Sequence, residues 1–245
     1  MANIVVLQHG KHGGPGRLGL TLRDHGFRLD VRRVDLPADA GGRPVPKDLD
    51  NVHGVLALGG AQNVDEAHPW LKPEMEFLKQ AHEAGLPVVG ICLGAQMIAQ
   101  ALGGEVGRME RPEAGFAPVD LLFPAQTDVL FSGISWRSWQ FHSHAYEVKE
   151  LPPGATLLAS SERCRVQAFR VGMRTIGIQY HPEYDRAMIE AGFANSQALF
   201  AGANITVDEL SRQADRHYAE YARLGDRLAL NLAQYCFPFS ELLAV

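Results

Sequence analysis

Three side chains in this 245-residue sequence have the types and spacing that nucleophilic acyl transfer needs. Gly90-Ile91-Cys92-Leu93-Gly94 follows an apolar run, Leu86 to Ile91, and leads straight into a helical stretch, Ala95 to Leu102. The pattern predicts a nucleophile elbow with cysteine in the serine position. Flanking glycines tolerate the cramped backbone of a sharp strand-to-helix turn, and the helix N-terminus behind the sulfur offers free N–H groups and favours a thiolate. A Gly-x-Cys-x-Gly segment is expected by chance about 0.03 times in such a chain, before the strand and helix around it are required. A cysteine nucleophile also needs a base and a group that orients the base. Tyr180-His181-Pro182-Glu183 offers both at the end of the run Thr175 to Gln179. Residues two apart in an extended segment point to one side, so imidazole and carboxylate share a face. The last need is backbone donors for the developing oxyanion. Leu93 supplies one N–H, and the glycine pair Gly59-Gly60, at the end of another apolar run, lets a second approach, with Gly60 the expected donor.

These groups need a frame to hold them. Asn3 to Leu7, Val52 to Leu58 and Leu86 to Ile91 are short apolar runs of the kind that form buried strands. Helical stretches separate them, the clearest being Trp70 to Ala84 with Leu71, Met75, Leu78 and His82 near one face. Strands alternating with helices imply a parallel sheet. From about Glu105 to Gln179 the pattern changes to short strands with turn punctuation: Val106 to Met109, Val119 to Phe123, Trp139 to His142, Thr156 to Ala159, Val166 to Arg170 and Thr175 to Gln179. That stretch predicts antiparallel structure inserted in an α/β frame. Helix returns around Arg186 to Phe200 and from Val207 to about Tyr235. The second of these opens on Thr206 and Glu209 at capping-box spacing and carries Leu210, Ala214, Tyr218, Tyr221, Leu224, Leu228, Leu232 and Tyr235 at helical spacing. The stripe is expected to pack on the parent domain, the alternative being a partner or dimer surface. The expected organisation is one α/β domain over residues 1–200 with a C-terminal helical appendage over 201–245.

Composition removes several classes. With 46% hydrophobic and 21% charged residues the chain is neither disordered nor fibrous. A net charge of −5, with no block of like charges, argues against nucleic acid as a partner. Cys92, Cys164 and Cys236 are too few and too far apart for a disulfide framework, which fits a reducing cytoplasm. The N-terminal apolar run is too short for a signal peptide or a membrane span. No Cys/His/Asp/Glu grouping shows metal-ligand spacing, so neither metal nor cofactor is expected. Two rival readings remain. Gly14-Pro15-Gly16-Arg17-Leu18-Gly19, with Asp35 downstream, formally matches a dinucleotide loop, although it lies several residues past the first strand and Pro15 stiffens it. A non-enzymatic cysteine sensor would need a reactive thiol but no base and orienter, so His181 and Glu183 argue against it.

Gly90-Ile91-Cys92-Leu93-Gly94-Ala95-Gln96 and Gly177-Ile178-Gln179-Tyr180-His181-Pro182-Glu183 resemble the two signatures of class I glutamine amidotransferases, in the same order. The likeness covers roughly Ile4 to Arg186 and includes Leu58-Gly59-Gly60 and Phe141-His142-Ser143-His144-Ala145-Tyr146. It implies a flavodoxin-like α/β sandwich: a central, mostly parallel sheet flanked by helices, with a smaller antiparallel segment. It also implies hydrolysis of glutamine's side-chain amide through a Cys92 thioester, with Gln96, Ser143, Ala145 and Tyr146 helping to hold the substrate. Leu151 to Ser161 is similar to stand-alone members, among them γ-glutamyl peptidases, which keeps a γ-glutamyl peptide open as the substrate. Two residues depart from the family pattern: Ala95 replaces a common histidine and Ala61 a common proline. Many members deliver ammonia to a synthetase, for which the stretch after Glu183 has no room. The expected partner is therefore a separate synthetase, or a second copy of this chain.

Overall fold

The computed structural model describes residues 2–237. Its frame is one nine-stranded sheet in the order β2-β1-β3-β4-β9-β8-β7-β5-β6. The first five strands in that order, β2 (Arg28–Arg33), β1 (Asn3–Gln8), β3 (Gly54–Ala57), β4 (Val88–Ile91) and β9 (Thr175–Ile178), run parallel. The rest, β8 (Ala168–Val171), β7 (Ala155–Ser160), β5 (Glu105–Leu121) and β6 (Arg137–Glu150), pair antiparallel. This is the expected α/β frame with an antiparallel insertion. Successive side chains of a strand face opposite sides. Ile4, Val6, Leu56 and Leu58 accordingly meet α1 (Gly16–Asp24) and the end of α7 (Val207–Asn231). Val5, Leu7, Val55 and Ala57 meet α2 (Leu71–Glu83) and α3 (Leu93–Ala101) on the other face.

Several expectations change in detail. Val106 to Met109 and Val119 to Leu121 belong to one 17-residue strand, because a bulge between Arg108 and Glu113 absorbs Glu110, Arg111 and Pro112 without ending the pairing with β6, and the expected strand end at Phe123 instead opens a short helix, α4 (Phe123–Gln126). Arg28–Arg33 is an edge strand whose only apolar residues are Leu29 and Val31, too few to stand out in sequence. The stretch 186–200 divides at Ser196 into α5 (Arg186–Asn195) and α6 (Gln197–Gly202). On α7 the capping bond forms, Glu209 N–H donating to Thr206 Oγ1 at 3.2 Å. Leu210, Ala214, Tyr221, Leu224 and Leu228 are buried against this same chain. The stripe ends differently: a π-helical turn over Leu232–Cys236 advances the register, burying Cys236 and leaving Tyr235 exposed. Among the described residues, no helix is long and apolar enough to cross a membrane.

Candidate active site

The predicted chemistry converges because β3, β4 and β9 are neighbours in the sheet and run parallel, so the loops that follow them meet at one edge. β3 delivers Gly59-Gly60, β4 delivers Cys92 and β9 delivers His181. Cys92 sits at φ 52°, ψ −109°, between β4 and α3, a strained backbone for a side chain other than glycine. The turn is pinned by Cys92 N–H to Ile178 O (2.8 Å) and Gly94 N–H to Leu58 O (3.2 Å). A Cβ at Gly94 would stand 2.1 Å from Ala57 O, so the crossing of α3 over β3 is possible only for glycine. His181 N–H donates to Phe141 O of β6 at 2.9 Å, which ties the antiparallel insertion to this edge.

Cys92, His181 and Glu183 are all at most 4% exposed. His181 Nδ1 is 2.9 Å from Glu183 Oε1, and the ring lies beside the Cys92 thiol, which favours its charged form. The Nδ1 proton must lie toward the carboxylate, which accepts only, leaving Nε2 to exchange a proton with sulfur. Burial works against a charged ring here, but Tyr184, Glu183 and Cys92 together outweigh it and hold the His181 pKa well above its ordinary value. Tyr184 packs on the ring with centroids 4.4 Å apart. The other two cysteines are buried elsewhere: burial raises the thiol pKa of Cys164, and it pushes that of Cys236 up to about 12. A nucleophile, a base on it and a carboxylate on the base, facing an open cleft of about 830 Å³, can perform covalent acyl transfer.

The class I glutamine amidotransferase profile matches residues 18–194 of this chain. The chain belongs to that family. Among its relatives, a glutamine-hydrolysing GMP synthase subunit from Thermococcus kodakarensis is 41% identical over 108 residues, which are 44% of this chain and 56% of that protein. The corresponding protein from Pyrococcus furiosus is 38% identical over 170 residues, 68% of this chain and 82% of that protein. The match thus spans only about half of the Thermococcus relative's length. A solved glutamine amidotransferase from Methylobacillus flagellatus shares the fold, with a TM-score of 0.82 at 24% identity over 96% of both chains.

In this amidotransferase frame, Gly60, Leu93, Gln96, Ser143, Ala145 and Tyr146 all line the cleft beside Cys92 and His181, with Glu183 behind the histidine. The first turn of α3 leaves its N–H groups without helical acceptors, Leu93 among them. The amide nitrogen of Gln96 is engaged, donating to Tyr146 O (2.9 Å) and Gln179 Oε1 (3.1 Å), so it braces the cleft wall. Tyr146 donates its hydroxyl to Asp65 Oδ2 at 2.9 Å. The dinucleotide-like motif has a different use. A Cβ on Gly16, at φ +44°, would lie 2.1 Å from Glu183 O, and Arg17 N–H donates to that carbonyl at 2.9 Å. The α1 N-terminus therefore grips the main chain of Glu183 where a pyrophosphate would sit, and Arg33 holds Asp35 at 2.7 Å. Sequence reading missed other supports. Tyr221 on α7 donates to His181 O (2.6 Å) and Tyr184 O (3.0 Å). Buried His9 meets Leu58 O (3.1 Å) at one ring nitrogen and Glu74 (2.9 and 3.0 Å) at the other, beside Gly59 and Gly60. Glu113, His142 and His144 also come together, correcting the expectation that no metal-ligand grouping exists. The His-x-His spacing on one strand was its available signal.

Proposed function

We propose that this chain hydrolyses the side-chain amide of L-glutamine and passes the ammonia to a synthetase partner. The observation that carries this is the Glu183–His181–Cys92 relay at the joined ends of β9 and β4. His181 takes the thiol proton as Cys92 Sγ attacks the amide carbonyl carbon of glutamine, and the N–H groups of Gly60 and Leu93 receive the oxyanion. His181 then returns the proton to the departing nitrogen, the C–N bond breaks, and ammonia leaves a γ-glutamyl thioester. Water, deprotonated by His181, adds to the thioester, and glutamate departs as sulfur takes back the proton. No step needs a metal or organic cofactor. Gln96, Ser143, Ala145 and Tyr146 form the wall that holds the substrate's amino-acid end. We read residues 1–200 as carrying the chemistry and 201–245 as an appendage. The relatives named as glutamine-hydrolysing GMP synthase subunits support both the substrate and a synthetase as partner.

A second reading, hydrolysis of γ-glutamyl peptides by the same relay, is favoured by the size of the cleft. At about 830 Å³ it far exceeds glutamine, and Lys11, Arg108 and Asn195 to Leu199 line it. Purified protein assayed on glutamine and on γ-glutamyl dipeptides separates the two. A kcat/KM about tenfold or more higher for dipeptides, about 1.4 kcal/mol in transition-state binding, would replace glutamine by the peptide. Under either reading, an electrophilic glutamine analogue should label Cys92 and Cys92→Ala should abolish turnover. Peptide mapping that put the label on Cys164 or Cys236 would refute both.

A further inference from the structure

Behind the wall of the cleft, three buried side chains converge on one face of the β5–β6 pair. Glu113 stands directly opposite His144, and His142 lies two residues along β6 on the same face. Glu113 Oε2 is 3.1 Å from His144 Nε2 and 3.3 Å from His142 Nδ1. All three residues are at most 3% exposed. A tetrahedral ion with ligands at about 2.0–2.1 Å sets its ligand atoms roughly 3.3 Å apart, the spacing found here between Glu113 Oε2 and each imidazole, and all three ligand atoms lie within 4.8 Å of one another.

The unsatisfied His142 ring separates this cluster from an ordinary buried ion pair. His144 Nδ1 faces Tyr146 O at 3.0 Å, and because a carbonyl only accepts, the ring's N–H is spent there. His144 Nε2, the other ring nitrogen, points at the carboxylate and is placed to ligate an ion there. Neither ring nitrogen of His142 makes a well-formed hydrogen bond, although the ring is wholly buried. One nitrogen of each imidazole and a carboxylate oxygen therefore lie within 4.8 Å of one another, with the buried His142 ring left without a hydrogen bond, an arrangement that a cation relieves. Around His144 and Glu113 the bonds are those of a metal site, where ligating histidines give their other N–H to carbonyls and ligating carboxylates are themselves hydrogen-bonded, whereas the second nitrogen of His142 has no partner. Ser161 Oγ donates to Glu113 Oε1 (3.0 Å) and Gln167 Nε2 to Glu113 Oε2 (2.7 Å). The buried Oε1 of Gln167 has no partner and adjoins the cluster.

We propose that Glu113, His142 and His144 bind one divalent transition metal ion of the zinc class, a structural ion apart from the catalytic relay. Two imidazoles and one carboxylate are a zinc donor set. The ion would anchor the segment Ser143 to Tyr146, because the Tyr146 carbonyl that orients His144 also receives Gln96 Nε2. Full-length protein purified without chelator or histidine tag should contain roughly one zinc per chain by plasma mass spectrometry. After stripping, cobalt(II) should bind and give the intense visible d–d bands of a tetrahedral site. Glu113→Gln and His142→Phe should weaken cobalt binding by more than the ~10–100-fold that outer-shell changes cost. His68→Gln, at the exposed His68–Glu66 pair, should leave the stoichiometry unchanged. If either ligand variant fails to fold, the wild-type metal content and cobalt spectrum decide alone. Wild-type protein free of metal and giving no tetrahedral cobalt spectrum, or folded ligand variants that bind cobalt as wild type does, would overturn the proposal in favour of a proton-sharing cluster.

Discussion

Gly59 provides a direct test of how tightly the relay is held. A Cβ built there stands 3.4 Å from Cys92 Cβ, an ordinary contact, but only 2.7 Å from His181 Cε1. Carbon–carbon contact settles near ~3.5 Å, so in Gly59→Ala the imidazole must retreat by roughly 0.8 Å. It cannot simply rotate away, because Nδ1 is bound to Glu183 at 2.9 Å and Tyr184 packs on the ring. A displacement of this size at reacting atoms costs on the order of 100-fold in rate, which is about 2.7 kcal/mol of transition-state stabilisation. The loss should fall on kcat for glutamine far more than on KM, since the displaced group is the base. Gly14→Ala is the control: its Cβ meets nothing nearer than Gln8 Oε1 at 3.8 Å, and activity should stay within about twofold of wild type. Steady-state kinetics on both variants, with circular dichroism to establish folding, measure the difference. A folded Gly59→Ala enzyme within about threefold of wild type would show that the catalytic histidine has slack the structure does not grant it.

Glu183→Gln should reduce kcat by about 10⁴-fold and Cys92→Ala by about 10⁶-fold, because an orienting group is partly replaced by geometry and a nucleophile is not. Wild-type rates for Glu183→Gln would mean that His181 takes its orientation from another group. The His9–Glu74 pair predicts a pH dependence of stability. Both His9 nitrogens face acceptors, so the ring carries two protons; burial opposes that charge, but Glu74 prevails and the pKa is raised above 6.5. A raised folded-state value makes this contribution complete below the unfolded pKa and lost as pH rises through the folded one, by about 1.4 kcal/mol for each tenfold difference in proton affinity between the two states. His181 contributes with the same sign. Urea midpoints should therefore fall from neutral toward alkaline pH, and Glu74→Gln should flatten that slope; an unchanged slope would refute the doubly protonated His9.

What could be read from sequence follows how far apart the cooperating residues lie. The elbow is contiguous: strand, glycine, cysteine, glycine and helix occupy Val88 to Ala101, and each local preference agrees with the final fold. His181 and Glu183 were legible for the same reason, two residues apart at a strand end. The parallel frame followed from alternating strands and helices, and the antiparallel insertion from its turn punctuation. β2 was not visible because four of its six residues are charged, which the half-buried edge of a sheet tolerates. The length of β5 was hidden because Pro112 and its charged neighbours read as a strand end, whereas the bulge keeps the ladder going.

The supports of the site escaped for a different reason: each joins segments that only the tertiary fold brings together. His9 and Glu74 are 65 residues apart, His181 and Tyr221 are 40 apart, and Glu113 lies 31 residues before His144. No local pattern marks such pairs, since each residue alone reads as a polar side chain on an otherwise ordinary strand or helix. Gly16 and Arg17 illustrate the opposite error. A glycine-rich loop opening a helix presents free N–H groups to whatever oxygen is nearest, and local sequence cannot distinguish a phosphate oxygen from a main-chain carbonyl. Here the oxygen belongs to Glu183, the bond is 2.9 Å long, and the space that a pyrophosphate would require is filled by the catalytic segment. With α1 gripping Glu183 from one side and Tyr221 of α7 holding the carbonyls of His181 and Tyr184 from the other, the His181–Glu183 segment is fixed by helices from both ends of the chain. Its geometry thus depends on residues far from the two signatures that revealed it, and shortening α7 before Tyr221 would remove a catalytic support along with apolar packing.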